Sequence, residues 1–140
     1  MKKILFLHGF FATGSCPMAR ALKEAFEGTA VVLTPDLPLH PKEAQKEIRS
    51  IIDREQPDLL LGNSCGSFLA QMLAPVVGIP ALLGNPYFMM TEFLKERNLL
   101  LRFGPANGSC SGENRSRQKD LLGRIAALSK NCYSLTFITS

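Results

Sequence analysis

The chain has 140 residues, 46% hydrophobic and 20% charged, a balance that excludes global disorder. At this length it makes one domain and buries roughly 68–70% of the surface its unfolded form exposes. The net charge of +4 is uneven: residues 1–100 carry ten basic and ten acidic side chains, while residues 101–140 carry six basic and two acidic ones. The basic character thus belongs to the last forty residues, and neither nucleic acid nor a membrane is expected as a partner of the main body.

The elements follow in chain order. Met1 to His8 briefly imitates a signal peptide, but its apolar stretch stops after Leu7, short of the ~7–15 residues of a signal core. No apolar run nears the ~18 residues that span a bilayer, so a cytoplasmic protein is expected. Lys3–Leu7 reads as a buried strand. Pro17–Glu27, with Met18, Leu22 and Phe26 spaced by four, reads as an amphipathic helix. Ala30–Leu33 is a second strand, ended by Thr34-Pro35-Asp36-Leu37-Pro38 because proline cannot continue a ladder. Pro41–Glu55 is a charged helix with Ala44, Ile48, Ile51 and Ile52 on one side. Asp58–Leu61 is a third strand, Ser64–Val77 a third helix and Pro80–Leu83 a fourth strand. Met90–Leu100 reads as a further helix. The strands are apolar throughout rather than alternating, as when helices cover both faces of a parallel sheet. The order predicts a three-layer, doubly wound α/β sheet over residues 1–100.

In such sheets ligands bind beyond the carboxyl ends of the strands, where the connections diverge. Two loops stand there, His8 to Ser15 and Gly62 to Gly66. Gly62-Asn63-Ser64-Cys65-Gly66 fits G-x-S-x-G between an apolar run and an apolar helix, the strand–turn–helix context that motif requires. A serine on so sharp a turn projects its hydroxyl from the sheet, and Gly62 and Gly66 let the helix pass closely over the strand. The helix start aims backbone N–H groups and a partial positive charge at the same point. Ser64 is the candidate nucleophile, and the Cys65 N–H the first oxyanion donor. His8-Gly9-Phe10 supplies the complement: the second donor is the N–H of Phe10, with Phe11 the alternative. Neither a Walker loop nor a G-x-G-x-x-G is present.

At these residues the chain resembles the small bacterial α/β-hydrolase-fold esterases of the YqiA/YcfP type. The resemblance rests on Leu7-His8-Gly9-Phe10 with Ser15, Pro35-Asp36-Leu37-Pro38, Pro57-Asp58-Leu59-Leu60, Gly62-Asn63-Ser64-Cys65-Gly66, and Gly78-Ile79-Pro80-Ala81 with Asn85-Pro86. It covers about residues 3–98. Ser67 departs from it, standing where these proteins usually have a second glycine. The resemblance implies hydrolysis of a small acyl ester or thioester by Ser64 through an acyl-enzyme, with no cofactor.

A serine nucleophile needs a base, and in this fold the order is Ser, then Asp or Glu, then His. The only histidines, His8 and His40, both precede Ser64. His8 is read as shaping the oxyanion loop and His40 as a solvated helix-start residue. Asp120 reads as a helix N-cap and Asp36 as a turn former. The four cysteines, Cys16, Cys65, Cys110 and Cys132, lack zinc-ligand spacing, so no metal is expected and reduced, mostly buried thiols are.

Residues 101–140 read as a basic, irregular tail. Gly104 to Gln118 is rich in Gly, Ser, Asn and Arg; Asp120–Leu128 can form a short helix and Tyr133–Thr139 a short strand. Resemblance to the esterases stops near Asn98, before the acid and base. A change of reading frame near residues 98–104, or a hydrolase fold shortened at its carboxyl end, would explain this. An uncovered sheet edge and self-association are then expected. Two other readings stand beside the impaired hydrolase. One is a non-catalytic remnant or interaction module using the basic tail. The other is a flavodoxin-like domain holding a phosphate or cofactor, which leaves the His-Gly loop unexplained.

Overall fold

The computed structural model describes residues 1–86 and 135–138. β1 (Lys2–Leu7), β2 (Ala30–Leu33), β3 (Leu59–Asn63), β4 (Ala81–Gly84) and β5 (Leu135–Ile138) form one sheet in the order β2-β1-β3-β4-β5. The first four strands are parallel. They are joined by α1 (Pro17–Ala25), α2 (Pro41–Glu55) and α3 (Cys65–Val77).

Local chemistry sets the helix ends. α1 and α2 both open on proline, whose fixed φ suits the first helical position. α2 carries Glu43 in its first turn and Arg54 in its last, each favourable to the helix dipole. It ends on Gln56 at φ 49°, whose side-chain amide donates to the carbonyls of Ile52 and Asp53 (3.2 and 3.0 Å), satisfying acceptors the helix leaves open. α3 ends at Gly78 in the left-handed conformation, where glycine carries no Cβ penalty.

Because the β1 side chains alternate, each half of Ile4-Leu5-Phe6-Leu7 serves a different layer, and all four are at most 4% exposed. Leu5 and Leu7, with Leu60, Ala81 and Leu83, pack under α2 and α3 through Ile48, Ile51, Leu69 and Leu73. Ile4 and Phe6, with Val32, Leu59 and Leu61, pack under α1 through Ala19, Leu22 and Phe26. This is the three-layer, both-faces-covered arrangement that continuous apolar strands predict. α1 crosses on one face as the chain moves from β1 to β2. α2 and α3 cross on the other as it returns to β3 and β4, as right-handed connections require. The loops leaving β1 and β3, adjacent strands, therefore diverge to opposite faces, opening a crevice at their carboxyl ends.

Two features differ from expectation. The strand expected at Tyr133–Thr139 runs from Leu135 to Ile138 and pairs antiparallel with β4, Leu82 opposite Phe137. The β4 edge is therefore paired, and the described sheet ends at β2 and at β5. Ile138 is partly buried against the α2/α3 layer. The helices expected at Met90–Leu100 and Asp120–Leu128, and the irregular stretch between them, lie outside the described residues. Among the described residues, no helix is long and apolar enough to cross a membrane.

Candidate active site

Ser64 stands alone between β3 and α3, at φ 53° and ψ −116°. These angles are the mirror image of an ordinary extended residue, a region that only glycine enters readily. Among the described residues, three of the four non-glycine residues at positive φ, namely Phe11, Ser64 and Asn85, follow the carboxyl ends of β1, β3 and β4. Backbone strain is thus gathered along the crevice, where functional sites tend to keep it.

The glycines explain how the turn is reached. A Cβ on Gly62 would collide with the Gly66 carbonyl and the backbone of Ser67; one on Gly66 would collide with the carbonyls of Leu7 and His8. These are backbone atoms of packed elements, so neither collision is relieved by a side-chain rotation. The start of α3 therefore lies directly against the end of β1. Gly9 completes the approach: a Cβ there would rest 3.4 Å from the Ser64 Cβ. The two loops that stand out in the sequence meet at Ser64.

Around Ser64 the backbone is well bonded. Its N–H donates to the Gly84 carbonyl (3.0 Å), and its carbonyl accepts from the N–H groups of Ser67 (3.0 Å) and Phe68 (3.3 Å). Its side chain makes no capping bond and is only half buried, so nothing in the cap geometry engages the hydroxyl. Cys65 opens α3, where N–H groups have no carbonyl of their own helix to bind. Burial pushes the Cys65 thiol up from its ordinary value, which disfavours the thiolate. Cys16 and Cys65 are free and each half-buried, less sheltered than expected. Cys110 and Cys132 lie outside the described residues.

The β1 loop is fixed by three long-range or strained contacts. His8, 7% exposed, donates from Nδ1 to the Gly9 carbonyl (2.9 Å) and accepts at Nε2 from the Leu37 N–H (3.0 Å). Both ring nitrogens are engaged by one neutral tautomer, assigned from its partners. His8 therefore shapes the loop, as its place in the motif suggests, and offers no free nitrogen to Ser64. Gly14 donates to the Asp36 carboxylate (2.7 Å), so Asp36 staples the β2 loop to the β1 loop rather than closing a local turn. The Gly9 carbonyl accepts from Ala12 (3.2 Å) in a turn that puts Phe11 at φ 58°. Phe11 stands 77% exposed, its ring edge-on to Phe10 at 4.4 Å.

A narrow cleft of about 30 Å³ opens here. Its lining includes Gly9, Phe10 and Phe11 of the β1 loop, Leu37, Pro38 and Leu39 of the β2 loop, and Cys65 and Leu69 of α3; Ser64 itself does not line it. Phe10 and Cys65, the two expected oxyanion donors, thus share one cavity. A larger depression of about 310 Å³ lies at the β2 edge against Lys23, Arg54 and Glu55. It contains none of the residues of the Ser64 turn, and chemistry rather than size decides between them. His40 is exposed at the start of α2 with no capping bond from its ring. Among the described residues no three His, Cys, Asp or Glu side chains group as metal ligands would.

The model of the alpha/beta hydrolase family matches residues 4–131. The chain belongs to the alpha/beta hydrolase family. The match extends to Asn131, so the break in resemblance expected near Asn98 is not a break from the family as a whole. For an alpha/beta hydrolase, the strained serine after β3 and the His-Gly loop after β1 fall where the fold's geometry concentrates chemistry. Two contacts were invisible to motif reading. The Ser67 hydroxyl donates to the Gly84 carbonyl (2.7 Å), and the Leu37 N–H meets His8. Both join residues distant in sequence, and only the small size of Ser67 hinted at a close contact.

Proposed function

We propose that this alpha/beta hydrolase acts on small carboxylic esters or thioesters through an acyl-enzyme on Ser64, of the kind its resemblance to the YqiA/YcfP-type esterases implies. The observation that carries this is the conformation of Ser64, a non-glycine residue held at φ 53° and ψ −116° between strand and helix. The Ser64 hydroxyl oxygen attacks the acyl carbonyl, and its proton passes through water to the leaving alcohol or thiol. The N–H groups of Phe10 and Cys65 receive the developing oxyanion, and the alcohol or thiol departs. Water then releases the acid. The cleft lined by Phe10, Phe11, Leu37 and Leu39 has no charged side chain among its lining residues, so the surface an acyl group would meet there is apolar.

These 140 residues bring no evident base to Ser64. No histidine follows Ser64 in the 140 residues, and both nitrogens of His8 are already bonded. Oxyanion stabilisation and binding alone leave roughly 10³–10⁴-fold over the uncatalysed reaction. The same observation favours a second reading, a non-catalytic hydrolase scaffold with its basic tail as an interaction module. Intact-mass analysis after exposure to a fluorophosphonate separates the two. One adduct, absent in Ser64→Ala, supports the nucleophile. No adduct on a folded protein supports the scaffold.

A further inference from the structure

The Gly84 carbonyl, at the end of β4, accepts two hydrogen bonds that converge from the turn and from the helix. One comes from the Ser64 N–H (3.0 Å), the other from the Ser67 hydroxyl (2.7 Å). Ser67 is fully buried, and its own N–H donates to the Ser64 carbonyl (3.0 Å). The backbone of Ser64 is thereby bracketed on both sides by one residue. Ser67 bonds the Ser64 carbonyl directly through its N–H, and its hydroxyl bonds the same Gly84 carbonyl oxygen that accepts from the Ser64 N–H.

We infer that Ser67 is a positioning residue that fixes the strained Ser64 turn against the end of β4, acting through the Gly84 carbonyl. The catalytic consequence rests on the reading of Ser64 as nucleophile; the positioning itself does not. A residue in a mirror-image conformation relaxes unless its surroundings over-determine it. The other constraints do not pull Ser64 toward β4: Gly62 and Gly66 permit the close approach, and the Ser67 and Phe68 N–H groups hold the Ser64 carbonyl to the start of α3. The directional pull comes from Gly84, and Ser67 keeps that carbonyl oriented across the turn. Glycine or alanine at position 67 would fit the space and supply no donor. The hydroxyl is therefore the working part, not merely the small volume.

The test compares Ser67→Ala and Ser67→Cys with the parent chain. Cysteine matches serine closely in shape and donates more weakly. Two quantities are read per folded molecule: hydrogen exchange of the Ser64 amide by NMR, and the rate of Ser64 labelling by a fluorophosphonate. In Ser67→Ala the Ser64 amide is expected to exchange roughly five- to tenfold faster relative to the β3 amides, as loss of one hydrogen bond allows. Labelling slows by a similar factor, and Ser67→Cys falls between. Unchanged exchange at Ser64, or a uniform rise across β3 and β4 in step with lost stability, overturns the inference. Should Ser67→Ala not fold, Ser67→Cys alone decides by the same two criteria. If the parent chain is not labelled yet its Ser64 amide responds, the positioning role stands and the nucleophile reading fails.

Discussion

Replacing Gly66 by alanine tests the proposition that α3 is held directly against β1. An added Cβ would sit against the carbonyls of Leu7 and His8, well inside the 3.0 Å that real Cβ atoms keep. Neither partner can retreat cheaply. β1 is laddered on both sides, Leu5 opposite Leu33 and Leu60, while α3 is anchored by Leu69, Ala70, Leu73 and Ala74 in the core. Overpacking of this kind costs about 1–3 kcal/mol and occasionally more. Alanine returns at most ~1 kcal/mol as the better helix former, less in a first turn. The steric effect wins, with a net loss of about 1–2 kcal/mol. For a domain near this size that lowers Tm by roughly 3–8 °C. Gly9→Ala is the matched control, since its Cβ would meet the Ser64 Cβ at 3.4 Å, an ordinary contact. It is expected to leave stability nearly unchanged while slowing labelling of Ser64. Thermal unfolding followed by circular dichroism, with urea midpoints, reads both. A Gly66→Ala protein within about 2 °C of its parent, or a Gly9→Ala protein equally destabilised, would refute the packing argument.

His8→Ala removes the ring that bonds both the Gly9 carbonyl and the Leu37 N–H, leaving a partly buried donor without its acceptor. It should cost about 1–3 kcal/mol in a urea titration and slow fluorophosphonate labelling. Labelling as fast as in the parent would mean that the loop keeps its shape without His8. The Lys2 ammonium and the Lys3 N–H hold the Asp58 carboxyl below its ordinary value. Its folded pKa is thus lower than its unfolded one, so its contribution is present above the ordinary carboxylate range and fades as pH falls through the lowered value. The pair is exposed, so the effect stays below about 1 kcal/mol. Asp58→Asn should narrow the difference in urea midpoint between pH 7 and pH 3, and an unchanged difference would remove Asp58 from the acid response.

The elements up to β4 were legible because each buries a face that shows in one dimension. The period of Ala44, Ile48 and Ile51 marks α2, and the unbroken run Leu59-Leu60-Leu61 marks a strand covered on both sides. The elbow was legible for a related reason: steric need writes Gly62 and Gly66 at fixed offsets from Ser64. What could not be read was which groups meet across the crevice. The bonds from Gly14 to Asp36, Leu37 to His8 and Ser67 to Gly84 span 22, 29 and 17 residues. Periodicity carries no record of such partners. Asp36 illustrates the limit. A Pro-Asp-Leu-Pro segment favours a local turn, yet the carboxylate is better used on a backbone N–H from another loop. The direction of β5 was hidden for the same reason, since a four-residue strand takes its orientation from its neighbour.

The strain at Ser64 supplies the sharpest separation of function from stability. A serine at φ 53° and ψ −116° costs about 1–3 kcal/mol against a relaxed backbone. Glycine occupies the mirror-image region freely, but loses about 0.5–1 kcal/mol through the added entropy of its unfolded chain. Ser64→Gly should therefore be more stable than the parent by about 1 kcal/mol, a rise in Tm of some 3–6 °C. Ser64→Ala keeps the Cβ and the strain, so it should match the parent. Both lack the hydroxyl and neither should be labelled. The comparison isolates backbone strain because the two variants share their loss of chemistry and differ in conformational freedom. If Ser64→Gly is no more stable than Ser64→Ala, the turn stores no strain and its geometry is simply what the packing of Gly62 and Gly66 allows. If it is more stable, the fold gives up stability to hold a side chain in this position, a cost consistent with placing a nucleophile rather than with packing alone.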